Sequence, residues 1–267
     1  MRTFSTLALL ALACAAQPTR AQTSDTLRLR VDSREVLMVT SGTGSPTIVL
    51  EAGAASTHRT WRDLMPTLAR SHRVVSYDRA GLGGSSPGPS PRSARVIALE
   101  LRAALQAANI APPYLLVGHS AGGLFARVFA GLFPTETVGL VLVDPAPEGF
   151  YARAAREQPV VFAYFDSLDQ ADRTTMQEGA RSELDAWDAT LADAIASDGR
   201  FPGPVIVLSS SRPELQALGT IWRDEHRRWS AQSNRRQFVP IEGVGHNIHR
   251  EAPDAVLTAI QRILGAR

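Results

Sequence analysis

Gly118-His119-Ser120-Ala121-Gly122 follows the apolar run Tyr114-Leu115-Leu116-Val117 and opens a helix-like stretch. In that setting a G-x-S-x-G segment presents its serine on a sharp strand-to-helix turn, with glycines where two backbones must pass closely. Ser120 is therefore a candidate nucleophile at a helix N-terminus, which favours developing negative charge. The pattern alone is weak, because ordinary Gly and Ser usage of roughly 7% produces it by chance in about one chain in ten of this size. Its context is stronger. The helix pattern reads on to Phe133-Pro134, and the next apolar run, Val138 to Val143, ends in Asp144. Strand, turn, helix, strand and acid thus fit the length of a parallel βαβ unit.

A serine hydroxyl is a poor nucleophile at neutral pH and needs a base, which in turn needs an acid to fix its tautomer. The chain has 6 histidines. His119 adjoins the serine but points elsewhere on a tight turn, while His58, His72 and His226 fall in helix patterns or at a strand entry and read as surface or packing residues. His246, in Gly243-Val244-Gly245-His246-Asn247, lies just past the last strand pattern, where a loop hangs over the C-terminal edge of a parallel sheet. It is the expected base, with His249 as the second choice. For the acid, Asp144 is preferred, and Glu214 is the first carboxylate after Leu208, in Ser209-Ser210-Ser211-Arg212-Pro213-Glu214. Both fit the chain order Ser, acid, His. Each also has a bland reading, Asp144 as a turn cap and Glu214 as a charge at a helix start. A tetrahedral oxyanion needs two N–H donors, for which the backbone of Ala121 and of Ala54 is expected.

These residues require a scaffold of alternating strands and helices. A hairpin is predicted over Leu27-Val31 and Val36-Val39, and strands over Pro46-Leu50, Arg73-Asp78, Pro204-Leu208 and Gln237-Ile241. Helices are predicted through Trp61-Leu68, over about 93 to 108, and over about 253 to 264 with Pro253 in the first turn. The alternation implies a mostly parallel sheet covered on both faces. It stops between Ala146 and Pro204, where the segment reads helical and carries Tyr151, Phe162, Tyr164, Phe165 and Trp187. Residues 146–203 are expected to form a helical lid, whose aromatics either line an apolar pocket or bind lid to body. The stretch Gly219 to Trp229 reads as a helix that contacts the lid or a partner or, preferred, as a solvated amphipathic helix. The expected division is a leader at 1–21, a core of 22–145 and 204–267, and the lid between them.

The leader is secretory in pattern: Arg2, the apolar stretch Thr6 to Ala13, then small residues, with cleavage expected after Ala21 and, as the second choice, after Ala15. It is too short to span a bilayer, and no integral membrane segment is expected after its removal. A periplasmic or secreted protein follows. Cys14, the single cysteine, lies in a loose lipobox, Leu10-Ala11-Leu12-Ala13-Cys14, which leaves a lipid anchor at Cys14 as the minority reading. The body after residue 21 has no cysteine, so disulfides and thiolate metal sites are excluded. Without Arg2 and Arg20, 26 basic residues face 26 acidic ones, every basic residue being arginine. No basic stripe interleaved with aromatics appears, so nucleic acid is not an expected partner.

Gly118-His119-Ser120-Ala121-Gly122-Gly123, Tyr77-Asp78-Arg79-Ala80-Gly81-Leu82-Gly83-Gly84-Ser85 and Gly245-His246 together resemble the α/β-hydrolase fold family, across nearly all of the chain after the leader. The resemblance implies an α/β fold with an eight-stranded, mostly parallel sheet, helices on both faces and a helical lid inserted after strand 6. It also implies a Ser-acid-His triad, with Ser120 as nucleophile and His246 as base, and no cofactor or metal. Two departures stand out. Glu51-Ala52-Gly53 occupies the place where many members carry His-Gly, and serines follow the seventh strand, where most place the acid. Val143-Asp144-Pro145-Ala146 looks like the arrangement of those lipases of the fold that carry the acid after the sixth strand. The expected activity is a serine hydrolase, carboxylesterase-like, acting on a small-molecule ester or lactone. A peptidase or amidase of the same fold, or a ligand-binding or sensor protein that does not turn over, remains open.

Overall fold

Strand residues in this chain are apolar at successive positions, and the fold buries both faces. The computed structural model describes residues 24–211 and 216–265. The leader with Cys14, and Glu214, lie outside the described residues. One sheet runs in the order β1 (Asp25–Val31), β2 (Arg34–Ser41), β4 (Val74–Tyr77), β3 (Thr47–Glu51), β5 (Tyr114–His119), β6 (Thr137–Val143), β7 (Val205–Ser210), β8 (Arg236–Ile241). β2 pairs antiparallel with β1 and β4, and every other pairing is parallel.

Side chains alternate between two cores with the period of two that a strand imposes. Val49, Val75, Leu116, Leu140, Leu142 and Val207 pack with α2 (Ala94–Ala107), α3 (Ala121–Leu132) and Ala194 of α7 (Trp187–Ser197). Their strand neighbours Ile48, Val74, Leu115, Val117, Val141 and Leu208 face Trp61 of a 3-10 turn (His58–Trp61), α1 (Met65–Leu68), α9 (Ile248–Glu251) and α10 (Pro253–Gly265). Each fully buried aliphatic side chain contributes about 1.5–3 kcal/mol, and a one-residue slip would move both sets to the wrong face.

The segment between β6 and β7 is helical: α4 (Phe150–Glu157), α5 (Pro159–Asp172), α6 (Glu178–Asp185) and α7. Its last helix packs on α2 and α3, whereas α4 packs on α5 and on α8 (Gln216–Ala231). α8 is not the solvated helix that its charges suggested. Leu218, Ile221, His226 and Ser230 are buried, because one side of α8 closes on β7, β8 and α4.

β3 sits between β4 and β5, so the chain leaves β3 toward one side and β5 toward the other. Glu51 and Gly118 are register partners at that divergence. Such a switch point at the carboxyl ends of parallel strands opens a crevice between loops. The loops carrying Ala54 and Ser120 both leave from it.

Candidate active site

Ser120 has φ 53° and ψ −123°, a left-handed backbone that few non-glycine residues adopt. The turn is held by its neighbours. Ser120 N–H donates to Val143 O (3.2 Å), and Ser120 O accepts from Gly123 N–H (2.9 Å) and Ala146 N–H (3.0 Å). A Cβ on Gly118 would run into Gly122 O, and one on Gly122 would lie 2.6 Å from Ala52 O. Only glycine allows the elbow to press against the end of β3. The N–H of Ala121, at the first position of α3, has no intrahelical acceptor and faces the same end of the sheet.

The bonds from Ser120 to Val143 and Ala146 bracket Asp144 and Pro145, so the Ser120 and Asp144 loops form one piece. Asp144 also has positive φ, 45°, and its N–H donates to Leu208 O (2.8 Å). Its carboxylate is 1% exposed. Oδ1 accepts from Ser210 N–H (2.8 Å), and Oδ2 accepts from Ser210 Oγ (3.0 Å) and lies 2.6 Å from His246 Nδ1. Because an ionised carboxylate only accepts, His246 carries its proton on Nδ1. Neutral His246 therefore has a free lone pair on Nε2. The side chain is 32% exposed, so this edge is open to a substrate.

Three further histidines surround the pair. His119 Nε2 lies 3.1 Å from His246 O, to which it donates, and its ring centroid is 4.7 Å from that of His246. Burial, then the neighbouring His246 and His249, push its pKa well below the ordinary histidine value. His249, the second choice as base, is buried between Trp61 (4.9 Å) and His119 (4.4 Å). Neither of its ring nitrogens has a hydrogen-bond partner, and burial pushes its pKa down to about 4. It sits in tilted contact with two rings. His226 lies behind Asp144: Nε2 donates to Pro145 O (2.6 Å), which leaves Nδ1 to accept from Ser209 Oγ (2.9 Å). Burial lowers its pKa although Asp144 opposes the shift. The sequence set His249 apart only as the second choice of base and read His119 and His226 as surface or packing residues.

The structure thus brings Asp144 and His246 into contact and joins Asp144's loop to Ser120. It also brings Ala54 close, since a Cβ on the preceding Gly53 would lie 3.2 Å from Ser120 Cβ. Two supports were missed in the sequence. Ser210 belongs to the serine run that stands where an acid was sought, and it holds the Asp144 carboxylate. Arg79 lies in the second motif and is buried with Glu51, Glu183 and Tyr77. Its sequence signal was its place directly after the strand-end Asp78 in that motif, while its partners Glu51 and Glu183 are distant in the chain. Desolvation raises the pKa of Glu51, against the pull of Arg79 and Tyr77. Among the described residues no cluster of His, Cys, Asp and Glu could hold a metal ion.

A family model described as alpha/beta hydrolase fold matches residues 46–177. The uncharacterized protein YqjL of Bacillus subtilis (strain 168) is 31% identical over 220 residues, covering 82% of this chain and 83% of that protein. RutD of Pseudomonas savastanoi pv. phaseolicola, whose name proposes a carbamate hydrolase, is 35% identical over 165 residues, 60% of this chain and 62% of RutD. Among solved structures, the serine hydrolase CCSP0084 from Cycloclasticus zankles superposes with a TM-score of 0.68 at 16% identity, covering 91% of this chain and 98% of that one. At that identity the likeness is one of fold.

Proposed function

The chain belongs to the α/β hydrolase fold family, and from that premise we propose that it is a serine hydrolase cleaving a small carboxylic ester or lactone through an acyl-enzyme on Ser120. The observation that carries the reading is the 2.6 Å contact of His246 Nδ1 with buried Asp144, on a loop bonded at both ends to the Ser120 elbow. Ser120 Oγ attacks the substrate carbonyl carbon while its proton passes to His246 Nε2. Asp144 stays ionised and stabilises the imidazolium. The N–H groups of Ala121 and Ala54 bind the oxyanion, each donor being worth ~10²–10³ in rate. The bond to the leaving alkoxide then breaks as His246 returns the proton to that oxygen. Water attacks the acyl carbon, again giving its proton to His246, and Ser120 Oγ recovers it as the acid departs.

Trp222 meets the His246 ring edge-on at 5.6 Å and continues through Phe150 (4.9 Å) to Tyr151 (5.4 Å). This aromatic series supports an apolar substrate wall beside the base, with residues 146–203 acting as its lid. The similarity to RutD adds small carbamates as a second substrate class for the same acyl chemistry. Export by removal of residues 1–21 is part of the proposal, and N-terminal sequencing of protein recovered from its host tests it.

Hydrolysis of short p-nitrophenyl esters and of a small aryl carbamate tests the activity. Ser120→Ala and Asp144→Asn are each expected to lose on the order of 10⁴-fold in kcat, while Glu214→Gln stays active. Undiminished turnover in Ser120→Ala, or wild-type protein that neither turns over nor forms an adduct with a serine-reactive phosphonate, overturns the reading.

A further inference from the structure

Arg79 is completely buried, yet every N–H of its guanidinium is used. Nε donates to Glu183 Oε1 (2.7 Å), Nη1 to Glu51 Oε1 (2.9 Å) and Ala52 O (2.8 Å), and Nη2 to Gly53 O (2.8 Å) and Glu183 Oε2 (2.9 Å). An arginine has five such donors in a rigid fork, so the residue is saturated. The Phe125 ring lies 5.0 Å from its guanidinium carbon. Tyr77 Oη donates to the other oxygen of Glu51 (2.6 Å). The acceptors come from separate parts of the chain: the end of β3, the loop after it, and α6 of the segment inserted after β6.

Two of those acceptors are the carbonyls that precede the N–H groups of Gly53 and Ala54. In a planar trans peptide the C=O and the following N–H point in opposite directions. A guanidinium that draws Gly53 C=O inward therefore turns Ala54 N–H outward, on the side away from the buried cluster. Ser56 N–H holds the same carbonyl at 3.2 Å, so the peptide plane is fixed by two donors. Gly53 is packed against Ser120, and Ala54 is exposed at that edge. The grip on Arg79 extends to α6, where Gly179 N–H also donates to Gly81 O (3.2 Å) across a close backbone contact.

We propose that Arg79 is the positioning residue that aims the Ala54 N–H at the oxyanion, and that Glu183 makes its aim depend on the docking of α6. This rests on the acyl-enzyme reading above. The segment after β6 thereby governs the rate of the chemical step as well as access to Ser120. Arg79→Lys offers three donors in place of a five-donor fork, so Ala52 O, Gly53 O, Glu51 and Glu183 can no longer all be held at once. Glu183→Gln keeps the shape but removes the charge that locks the guanidinium.

The test uses the mature protein with matched aryl esters and thionoesters, and rates are expressed per Ser120 titrated by phosphonate. Sulfur is a weak hydrogen-bond acceptor, so an aimed donor favours the oxygen ester over its sulfur analogue. The expected result is a fall in kcat of about 10- to 100-fold in Arg79→Lys and about 10-fold in Glu183→Gln, with KM changed less than about threefold, because the lost donor acts on the transition state. The preference for the oxygen ester should fall in parallel. A purely structural role would lower the melting temperature or the titrated fraction and leave per-site kcat and the oxygen-to-sulfur ratio at wild-type values; that result overturns the proposal. If Arg79→Lys does not fold, Glu183→Gln decides alone by the same two readouts. Wild-type protein with no turnover and no adduct would overturn the acyl-enzyme reading and this proposal with it, whereas active wild type with unchanged variants overturns the positioning role only.

Discussion

Ser210 gives the Asp144 carboxylate two hydrogen bonds, one from the backbone and one from the hydroxyl, and leaves Oδ2 shared with His246. The hydroxyl orients the acid by occupying the lone pair that would otherwise let the carboxylate rotate away. Ser210→Ala is expected to keep the backbone bond, lose about 1 kcal/mol of stability and lower kcat about 3- to 10-fold without a comparable change in KM. Steady-state ester hydrolysis with urea denaturation checks it; unchanged kcat would make the hydroxyl a passive neighbour. Asp144 stands out in the sequence as an acid closing the strand after the elbow, and its contact with His246 fits that reading. Ser210 and His226 do not stand out, because their roles depend on the adjacency of β6, β7 and α8, which no local spacing encodes. A histidine about three turns into an amphipathic helix pattern gives no sign that its Nε2 will donate to Pro145 O.

At the scale of elements, the strand-to-helix elbow was legible because close packing writes itself into composition: positions 118, 122 and 123 must lack a Cβ. A Cβ on Gly123 would lie 2.5 Å from Pro145 Cβ, and one on Gly122 would meet the carbonyls of both Glu51 and Ala52. Gly122→Ala should therefore push β3's terminal loop off α3. Overpacking of this kind costs about 1–3 kcal/mol. It should also reduce esterase kcat more than Ser210→Ala does, because the loop that moves carries Ala54. A stable and fully active Gly122→Ala would show that the elbow tolerates separation. Strand existence was equally plain, since the parallel strands alternate between two cores and need apolar residues at every position. The fate of the helices was less so. α8 has enough charge to read as solvated, but Trp222, His226 and Ser230 give it an inner side, and its partners arrive from α4 and β8. The sixty residues after Asp144 were readable as helical; that α7 packs on α2 and α3 while α6 reaches Arg79 was not, because helix periodicity identifies a buried side without naming what buries it.

For the molecule as a whole, buried ionisable groups concentrate around the C-terminal edge of the sheet, and their balance sets how stability varies with pH. His119, His226 and His249 are all held neutral, with pKa values below the ordinary 6.5 chiefly through burial, and to about 4 for His249. Below pH 6.5 the unfolded chain takes up protons at these positions and the folded protein does not, so stability falls as the pH falls, by up to about 1.4 kcal/mol per pH unit for each histidine. For His249 the loss is complete near pH 4, where the folded state also binds its proton. Glu51 acts with the opposite sign: burial raises its pKa, so its contribution is present in acid and is lost as the pH rises through the folded value. Glu148 is lowered: its burial pushes the pKa up, but Arg127, a backbone hydrogen bond and Arg236 together pull it down further, so its contribution disappears below the ordinary carboxylate value. Between pH 7 and pH 5 three histidines outnumber one opposing glutamate, and urea denaturation of the mature protein should show a clear decline in unfolding free energy. His249→Phe keeps an aromatic ring against Trp61 and His119 without a titrating group, and should flatten that decline by about the share of one proton. A wild-type profile that is level over this range, or one that the substitution leaves unchanged, would mean that water or local opening lets these imidazoles protonate in the folded state. The tight histidine packing that fixes the His246 loop would then not be the source of acid sensitivity.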